Sequence, residues 1–215
     1  MIEHAEHDGG RIFVVANLKG GVGKSSIAAN LACFLAEKGG TSTVDLDVGQ
    51  QDLSRFSTMR GIRSKVIGET AELIDYLQER KALGETVVVD CPPGERDTTK
   101  AACYLATAVI MPVRPGANDA QAIGRLLSMV GEIREARNDL KVFSVCNFYK
   151  NSKEASAMVD ILRQIPNATF AGKLWDRKDY SVSIADAVPV WEVVPGKPAA
   201  LEMRALCEAL ERVVR

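Results

Sequence analysis

The sequence predicts an α/β fold in which a mainly parallel, twisted sheet carries helices on both faces. The first observation is an alternation of short apolar runs with segments of helical spacing, which is typical of βαβ units. The second is a glycine-rich turn between the first apolar run and the first helix. The third is the position of acidic and amide residues just after apolar runs, at the sheet edge where such folds bind ligands.

The elements follow in order along the chain. Short apolar runs predict strands at 11–16, 43–46, 86–90, 108–113, 141–147 and 168–172. Apolar residues at helical spacing predict helices at 24–38, 70–82, 97–106, 118–137, 152–164, 179–187 and 198–214. Residues 54–69 show neither pattern, and we expect a mobile loop there. We expect residues 1–10 to form a flexible N-terminal tail and residues 11–215 to form a single domain.

Composition and charge limit the classes of function. Hydrophobic residues make up 47% and charged residues 26% of the 215 residues, and the net charge is −1. Such a chain binds nucleic acid only through a local basic patch, and no apolar run reaches the roughly 20 residues that span a bilayer. Both histidines lie in the tail, which argues against a histidine base or ligand. The five cysteines form no C-x-x-C pair, so we expect free thiols, no iron–sulfur cluster and a cytoplasmic protein.

The glycine-rich turn has the chemistry of a phosphate-binding loop. Residues 19–25 read K-G-G-V-G-K-S, and a helix is predicted to begin at Lys24. Glycines let successive backbone N–H groups point at phosphate oxygens, and the N-terminus of the helix favours anions. Lys24 is then able to reach the β- and γ-phosphates, and the Ser25 hydroxyl is able to bind magnesium. The turn therefore predicts a nucleoside triphosphate site, against the alternative of a turn that binds nothing.

The same residues resemble the deviant Walker A motif, K-G-G-x-G-K-[ST], at every defined position. By this resemblance the chain is identified as a member of the ParA/MinD family of P-loop NTPases. The resemblance implies ATP and Mg²⁺ as ligands. It also implies a homodimer in which Lys19 crosses to the nucleotide of the partner subunit, so that Lys19 and Lys24 are both catalytic. The implied nucleotide-binding residues of the loop are Gly20, Gly21, Val22, Gly23, Lys24, Ser25 and Ser26.

Two aspartates, Asp45 and Asp47, come at the end of the second predicted strand. A carboxylate opposite the phosphate loop can orient an attacking water, although aspartates also cap turns and helices. The pattern resembles the family's D-x-D motif, which implies that Asp47 positions the water and that Asp45 supports the loop. Residues 45–49 look more like MinD than like the plasmid-partition members, and residues 54–56 look like the MipZ branch, so the branch stays open.

Two further strand ends carry candidate ligands. Asp90 ends the run 86–90 and precedes two prolines and a glycine, which resembles the family's Walker B motif. This resemblance implies that Asp90 and Ser25 hold Mg²⁺, with Asp90 acting through a water. Asn147 ends the run 141–147, and its carboxamide is our candidate for binding adenine. An asparagine that simply follows a strand is the equal alternative.

Three outputs of the ATPase are compatible with the sequence. The first, which we favour by resemblance, is a ParA-type ATPase that binds DNA nonspecifically, associates with the nucleoid when ATP is bound, and positions a plasmid, chromosome region or protein assembly through a ParB-like adaptor. Its candidate phosphate-contacting strip comprises Lys150, Lys153, Arg163, Lys173, Arg177 and Lys178. The second is a MinD- or MipZ-like division-site switch. The third is a metabolic or metal-handling ATPase, for which a chain of this length leaves little room for a second substrate pocket.

The C-terminal helix does not favour membrane binding. Its acidic residues offset its basic ones, and it carries no bulky aromatic residue. We expect it to pack on the sheet through one apolar side, which comprises Leu201, Leu206, Ala209, Leu210 and Val213.

Overall fold

The computed structural model describes residues 9–116 and 119–214. Within these residues the strands are β1 (Ile12–Val15), β2 (Thr41–Asp45), β3 (Arg63–Val66), β4 (Thr86–Asp90), β5 (Ala108–Val113), β6 (Lys141–Tyr149) and β7 (Thr169–Trp175). They form one sheet in the order β3-β2-β4-β1-β5-β6-β7, and every neighbouring pair is parallel. The order reverses at β1, so the crevice beyond the carboxyl end of β1 is the expected place for a ligand.

Helices cover both faces of the sheet, which confirms the predicted fold class. They are α1 (Lys24–Ala36), α2 (Asp52–Met59), α3 (Thr70–Ala82), α4 (Asp97–Leu105), α5 (Asp119–Ala136), α6 (Lys153–Arg163), α7 (Lys178–Asp186), α8 (Val190–Val193) and α9 (Pro198–Arg212). Phe13 and Val15 of β1 pack in one hydrophobic core with α1, α2, α8 and α9. Ile12 and Val14 face a second core, with α3, α4 and α5, and a third cluster lies around α6. Because central strands are buried on both sides, they read as continuous apolar runs in the sequence.

The expectation of a mobile loop at 54–69 is wrong. The structure has helix α2 and strand β3 across this region, with Leu53 and Phe56 fully buried on one side of α2. Strand β3 is an edge strand that pairs only with β2 and reads Arg-Ser-Lys-Val. Edge strands commonly carry charged side chains because one edge of the strand is unpaired and faces solvent. This strand therefore shows no apolar alternation. Two buried apolar residues in a helix of this length are likewise too few to reveal its period.

Only the last two residues of the predicted N-terminal tail are described. Residues 1–8, with both histidines and most of the predicted tail, lie outside the described residues. Gly10 is already buried, and its amide donates to the Lys81 carbonyl at 3.2 Å.

All five cysteines are free and buried, as predicted. None of the described helices combines the length and apolar character that crossing a membrane requires.

The register of the sheet brings the predicted strand ends together. Val15, the last residue of β1, lies opposite Asp90 of β4, and Asp90 lies opposite Asp45 of β2. The phosphate loop that follows β1 therefore emerges beside both carboxylates.

Candidate functional site

Two glycines and one asparagine set the conformation of the loop between β1 and α1. Gly21 and Gly23 have φ values of +70° and +86°, in the left-handed region that glycine adopts without strain. The Asn17 side chain donates to the Pro112 carbonyl at 2.7 Å and accepts from the Lys19 amide at 2.9 Å. These bonds fix the start of the loop to the end of β5.

A cavity of about 460 Å³ opens beside this loop, a volume in the range of small-molecule sites. Its first wall comprises Gly20, Gly21, Gly23, Lys24, Ser25, Ser26, Asp47, Gln50, Asp52, Cys91 and Pro93. Its second wall comprises Asn147, Phe148, Asp176, Arg177, Lys178, Tyr180, Ser181 and Ile184. We call these the phosphate wall and the far wall.

Lys24 lies at the base of the phosphate wall and is 7% exposed. Its Nζ donates to the Lys19 carbonyl at 3.1 Å. Burial lowers the pKa of Lys24, and the neighbouring Asp90 opposes this shift. The ammonium group is therefore poorly solvated, and an anion in the cavity would stabilise its charged form.

Asp45 and Asp47 have different structural roles. Asp45 is fully buried, and its two oxygens accept from the amides of Asp47 at 2.9 Å and Ser54 at 3.0 Å. Burial raises the pKa of Asp45, and the two amide donors oppose that shift. Asp47 is half-buried and lines the cavity, and its Oδ1 accepts from the Gly49 and Gln50 amides at 3.3 and 3.2 Å. Asp45 thus holds the segment between β2 and α2, while Asp47 both closes a turn and faces the cavity.

Asp90 is a buried carboxylate with an unsatisfied oxygen. It is 2% exposed, and its Oδ1 has no hydrogen-bond partner. Burial raises the pKa of Asp90 to about 7, while a hydrogen bond from the Ser25 hydroxyl opposes the shift. A buried unpaired oxygen is costly unless a cation or water satisfies it. A carboxylate beside a hydroxyl is an oxygen-donor set of the kind that Mg²⁺ binds, so these residues fit the ion.

The far wall begins at the end of β6. The Asn147 amide donates to the Val22 carbonyl at 2.9 Å, and its Oδ1 accepts from the Phe148 amide at 2.9 Å. Asn147 therefore ties the phosphate loop to β6. Its role at adenine stays a prediction. Phe148 has a φ of +55°, and the Arg114 guanidinium lies 4.7 Å from the centre of its ring.

Helix α7 completes the far wall through a closed network of charged groups. Arg177 Nη2 donates to Glu202 Oε1 at 2.7 Å, and the Tyr180 hydroxyl donates to Glu202 Oε2 at 2.9 Å. Burial raises the pKa of Tyr180, and the Glu202 carboxylate raises it further. This network attaches the start of α7 to α9.

Comparison with known proteins identifies the family. The profile of the CobQ/CobB/MinD/ParA nucleotide binding domain matches residues 13–190. The chain belongs to this family. It is 26% identical over 197 residues to the maintenance of carboxysome distribution protein A of Halothiobacillus neapolitanus, a match that covers 88% of this chain and 91% of that relative.

Solved structures share the fold of this family member. MinD from Pyrococcus horikoshii, a septum site-determining protein complexed with Mg-ADP, has a TM-score of 0.74 at 17% identity, over 94% of this chain and 96% of that one. McdA from Cyanothece, in complex with ATP, has a TM-score of 0.72 at 16% identity, with the same two coverages. A putative plasmid partition protein from Borrelia burgdorferi bound to AMPPNP has 0.70 at 18% identity, over 95% and 99%. The predicted ParA/MinD membership and P-loop fold are both confirmed.

The predicted site residues are brought to one place, but not all of them line the cavity. Eight do so: Gly20, Gly21, Gly23, Lys24, Ser25, Ser26, Asp47 and Asn147. Lys19, Val22 and Asp90 lie directly beside it through the bonds and contacts described above. Their functional roles remain predictions.

Several cavity residues were not predicted from the sequence. Gln50, Asp52 and Phe148 line the cavity. Arg177 and Lys178 also line it, although the sequence places them in the candidate strip for contacts with DNA. Only the position of Phe148 next to a strand-end asparagine could have indicated it. The far wall depends on how α7 folds back towards the loop, which no local pattern specifies.

The basic residues of the far third of the chain separate into two groups. Arg177 is bonded to Glu202 and, with Lys178, faces the cavity. The other four are exposed: Lys150, Lys153, Arg163 and Lys173. Lys150 Nζ lies 3.0 Å from Asp176 Oδ2, and Lys173 Nζ lies 4.0 Å from the centre of the Tyr149 ring. The structure thus divides the six residues between the cavity and the exposed surface, and their role at DNA stays a prediction.

Helix α9 packs on the body of the protein, but its buried side differs from the prediction. Leu206 and Leu210 are buried as expected, whereas Leu201 is 61% and Val213 41% exposed. The buried side instead includes Met203 and Cys207. Leu201 falls outside the arc of the helix that faces α1 and β7, and Val213 follows its last residue.

Proposed function

We propose that this chain is a ParA-type ATPase that forms an ATP-dependent homodimer, binds DNA nonspecifically and positions a cargo. The observation that carries the proposal is the convergence of Lys24, Ser25, Asp47 and Asp90 on one cavity beside a deviant Walker A loop. Buried groups of both signs meet there without full compensation from the protein, as a site for a metal-bound polyphosphate requires.

ATP would bind with its phosphates in the loop. The amides of the loop and the N-terminus of α1 attract the phosphates, and Lys24 supplies a desolvated positive charge. Ser25 and Asp90 would hold Mg²⁺, which when bound neutralises charge on the phosphate oxygens.

Hydrolysis to ADP and phosphate would depend on positioning rather than on a covalent intermediate. Asp47 is the candidate that orients the attacking water because it is a half-buried carboxylate that lines the phosphate wall two residues after the end of β2. Asp45 fixes the backbone of Asp47 and the beginning of α2, and so acts as a positioning residue.

Dimerisation would use the open side of the loop. Lys19 is half-buried beside the loop but does not line its own cavity, which supports a role at a second nucleotide. Gly20, Gly21, Pro93 and Gly94 around it are exposed, so a second copy of the chain has access to this face.

We infer DNA binding and the positioning of a cargo from the family, not from a preformed binding site in the structure. The exposed residues Lys150, Lys153, Arg163 and Lys173 are the remaining candidates for contacts with phosphates. Nucleoid association in the ATP state would follow from such contacts. The relatives named above act in carboxysome distribution, septum site determination and plasmid partition, and a cargo reached through a ParB-like adaptor fits this range.

The experiment that tests the proposal compares Asp47→Ala and Lys19→Ala with the wild type in phosphate release and in size-exclusion chromatography with ATP. Asp47→Ala should bind ATP, remain dimeric and release phosphate at least about tenfold more slowly. Lys19→Ala should bind nucleotide but stay monomeric with a nonhydrolysable analogue. Lys141→Ala changes an exposed lysine at the first residue of β6 and serves as the control. Wild-type turnover by Asp47→Ala would overturn the assignment.

A division-site switch is the second candidate because residues 45–49 look like MinD. If the ATP-bound dimer is retained on DNA and salt weakens that retention, the ParA-type function is favoured, since contacts with phosphates weaken with salt. Charge reversal at Arg163 and Lys173 should reduce that retention without altering nucleotide affinity, whereas Lys178 is unsuitable for this test because it lines the cavity.

A further inference from the structure

We propose that Phe148 is the surface on which the base of the nucleotide stacks, an inference that rests on the proposed ATP site. The sequence had directed attention to the neighbouring Asn147, whose amide and oxygen are both engaged with the protein backbone. Two aromatic residues line the cavity, Phe148 and Tyr180. The Tyr180 hydroxyl is bonded to Glu202, whereas the Phe148 ring lies beside Gly23 of the phosphate loop.

The position of the ring relative to the loop fits a base that follows bound phosphates. A Cβ built on Gly23 would lie 3.4 Å from Phe148 Cε2. Gly23 caps the helix that starts at Lys24, so the ring lies next to the loop that would hold the phosphates. The ring is also half-buried, which leaves part of its surface available to the cavity.

The backbone at Phe148 is strained in a way that presents the ring. A φ of +55° is uncommon for a bulky residue. The register between β6 and β7 shifts between Cys146 and Tyr149, and Asn147 Oδ1 holds the Phe148 amide within this irregularity. Strained residues and β-bulges concentrate at functional sites, where they re-aim a side chain.

Packing in the hydrophobic clusters does not explain this strain. Phe148 belongs to none of the three hydrophobic clusters formed by the described residues, whereas Phe143 on the same strand is fully buried in one of them. Phe170 is a matched comparison. It is also half-buried beneath an arginine, with Arg163 5.3 Å from its ring centre, but it packs in the cluster around α6.

Arg114 prepares the ring for stacking. Its guanidinium covers part of the Phe148 ring and does not itself line the cavity, so the ring surface open to the cavity is a different part. A cation is attracted to the face of an aromatic ring, and offset stacking of a second ring on the remaining surface is favourable. Stacking is tolerant of base identity because every base has a π-face.

The test measures binding of ADP and of pyrophosphate to the full chain by isothermal titration calorimetry. Phe148→Gly removes the ring while glycine accepts the positive φ, which favours retention of the fold. We expect this variant to bind ADP about tenfold more weakly and pyrophosphate within about twofold of the wild type. GDP affinity should fall by a similar factor to ADP affinity. Phe148→Trp keeps an aromatic ring and should bind ADP more tightly than Phe148→Gly. Phe170→Ala is the control and should bind ADP as the wild type does, with circular dichroism as a check of folding.

The outcomes separate this inference from the proposed function. Equal ADP affinity of Phe148→Gly and the wild type would overturn the stacking role and leave the ATP site intact. A parallel loss of ADP and pyrophosphate binding would also overturn it, because the ring would then act on the phosphate loop through Gly23. A wild-type protein that binds neither ligand would refute the nucleotide site itself.

Discussion

The two walls of the cavity are built in opposite ways. The phosphate wall comes mostly from one continuous loop and the ends of β2 and β4, adjacent strands of the sheet. The far wall comes from a bulge in β6 and the first turns of α7, which is attached to α9 through Glu202. Each segment of the first wall directly follows a strand and carries its own sequence motif, although the sheet brings the segments together. The second wall depends on how α7 folds back towards the loop.

The walls also differ in how their charges are satisfied. Lys24 is buried in the phosphate wall and Asp90 is buried directly beside it, and Asp90 retains an oxygen without a hydrogen-bond partner. On the far wall Arg177, Tyr180 and Glu202 satisfy one another. The phosphate wall therefore gains most from a charged ligand and a metal ion, whereas the far wall is preorganised without one.

The largest expected effect is that of Gly23→Ala, because the two walls meet at Gly23. An added Cβ would overlap the Asn147 side-chain amide at a φ of +86°, whereas Gly21 has a φ of +70° with nothing within 4 Å. We expect Gly21→Ala to lower the free energy of unfolding by about 1 kcal/mol through left-handed strain alone. Gly23→Ala should lower it by about 3 kcal/mol because overlap adds to strain. Urea denaturation measures both.

Equal losses in the two variants would show that the walls are not in contact at Gly23. In that case Asn147 moves aside readily, and the bond from its amide to the Val22 carbonyl does not fix the loop.

The difference between the walls also explains what could be predicted from the sequence. Lys24, Asp47 and Asp90 were found because each lies within a few residues of a strand end and in a recognisable motif. Strand β3 was missed because an edge strand of polar residues has no apolar pattern, and Phe148 was missed because a bulge leaves no sequence period. Arg177 was assigned to a surface strip because only the tertiary structure shows its bond to Glu202.

Asp90→Asn tests the buried carboxylate beside the phosphate wall. Mg²⁺ should raise the ADP affinity of the wild type, and its removal with EDTA should abolish that gain. In Asp90→Asn the gain should shrink about tenfold because an amide carries no charge to attract the ion. Without Mg²⁺ the variant should be no less stable than the wild type, since it removes a buried carboxylate with an unpartnered oxygen. The exposed Asp75 supplies the control, Asp75→Asn, and an unchanged Mg²⁺ response in Asp90→Asn would exclude the proposed metal site.

Glu202→Ala tests whether the far wall is preorganised by its own network, and its effect should be the smallest. The change leaves Arg177 and Tyr180 without their carboxylate, and we expect a loss of about 1 kcal/mol in the free energy of unfolding because the pair is partly exposed. The pair formed by Glu37 and Arg204, 3.2 Å apart and more exposed, gives the matched control, and Glu37→Ala should cost less than about 0.5 kcal/mol. ADP affinity of Glu202→Ala should fall about twofold, since α7 loses its attachment to α9 while the phosphate wall is untouched. A loss of ADP affinity as large as that of Asp90→Asn would mean that the far wall contributes directly to the charge balance of the site, and the contrast between the two walls would then fail.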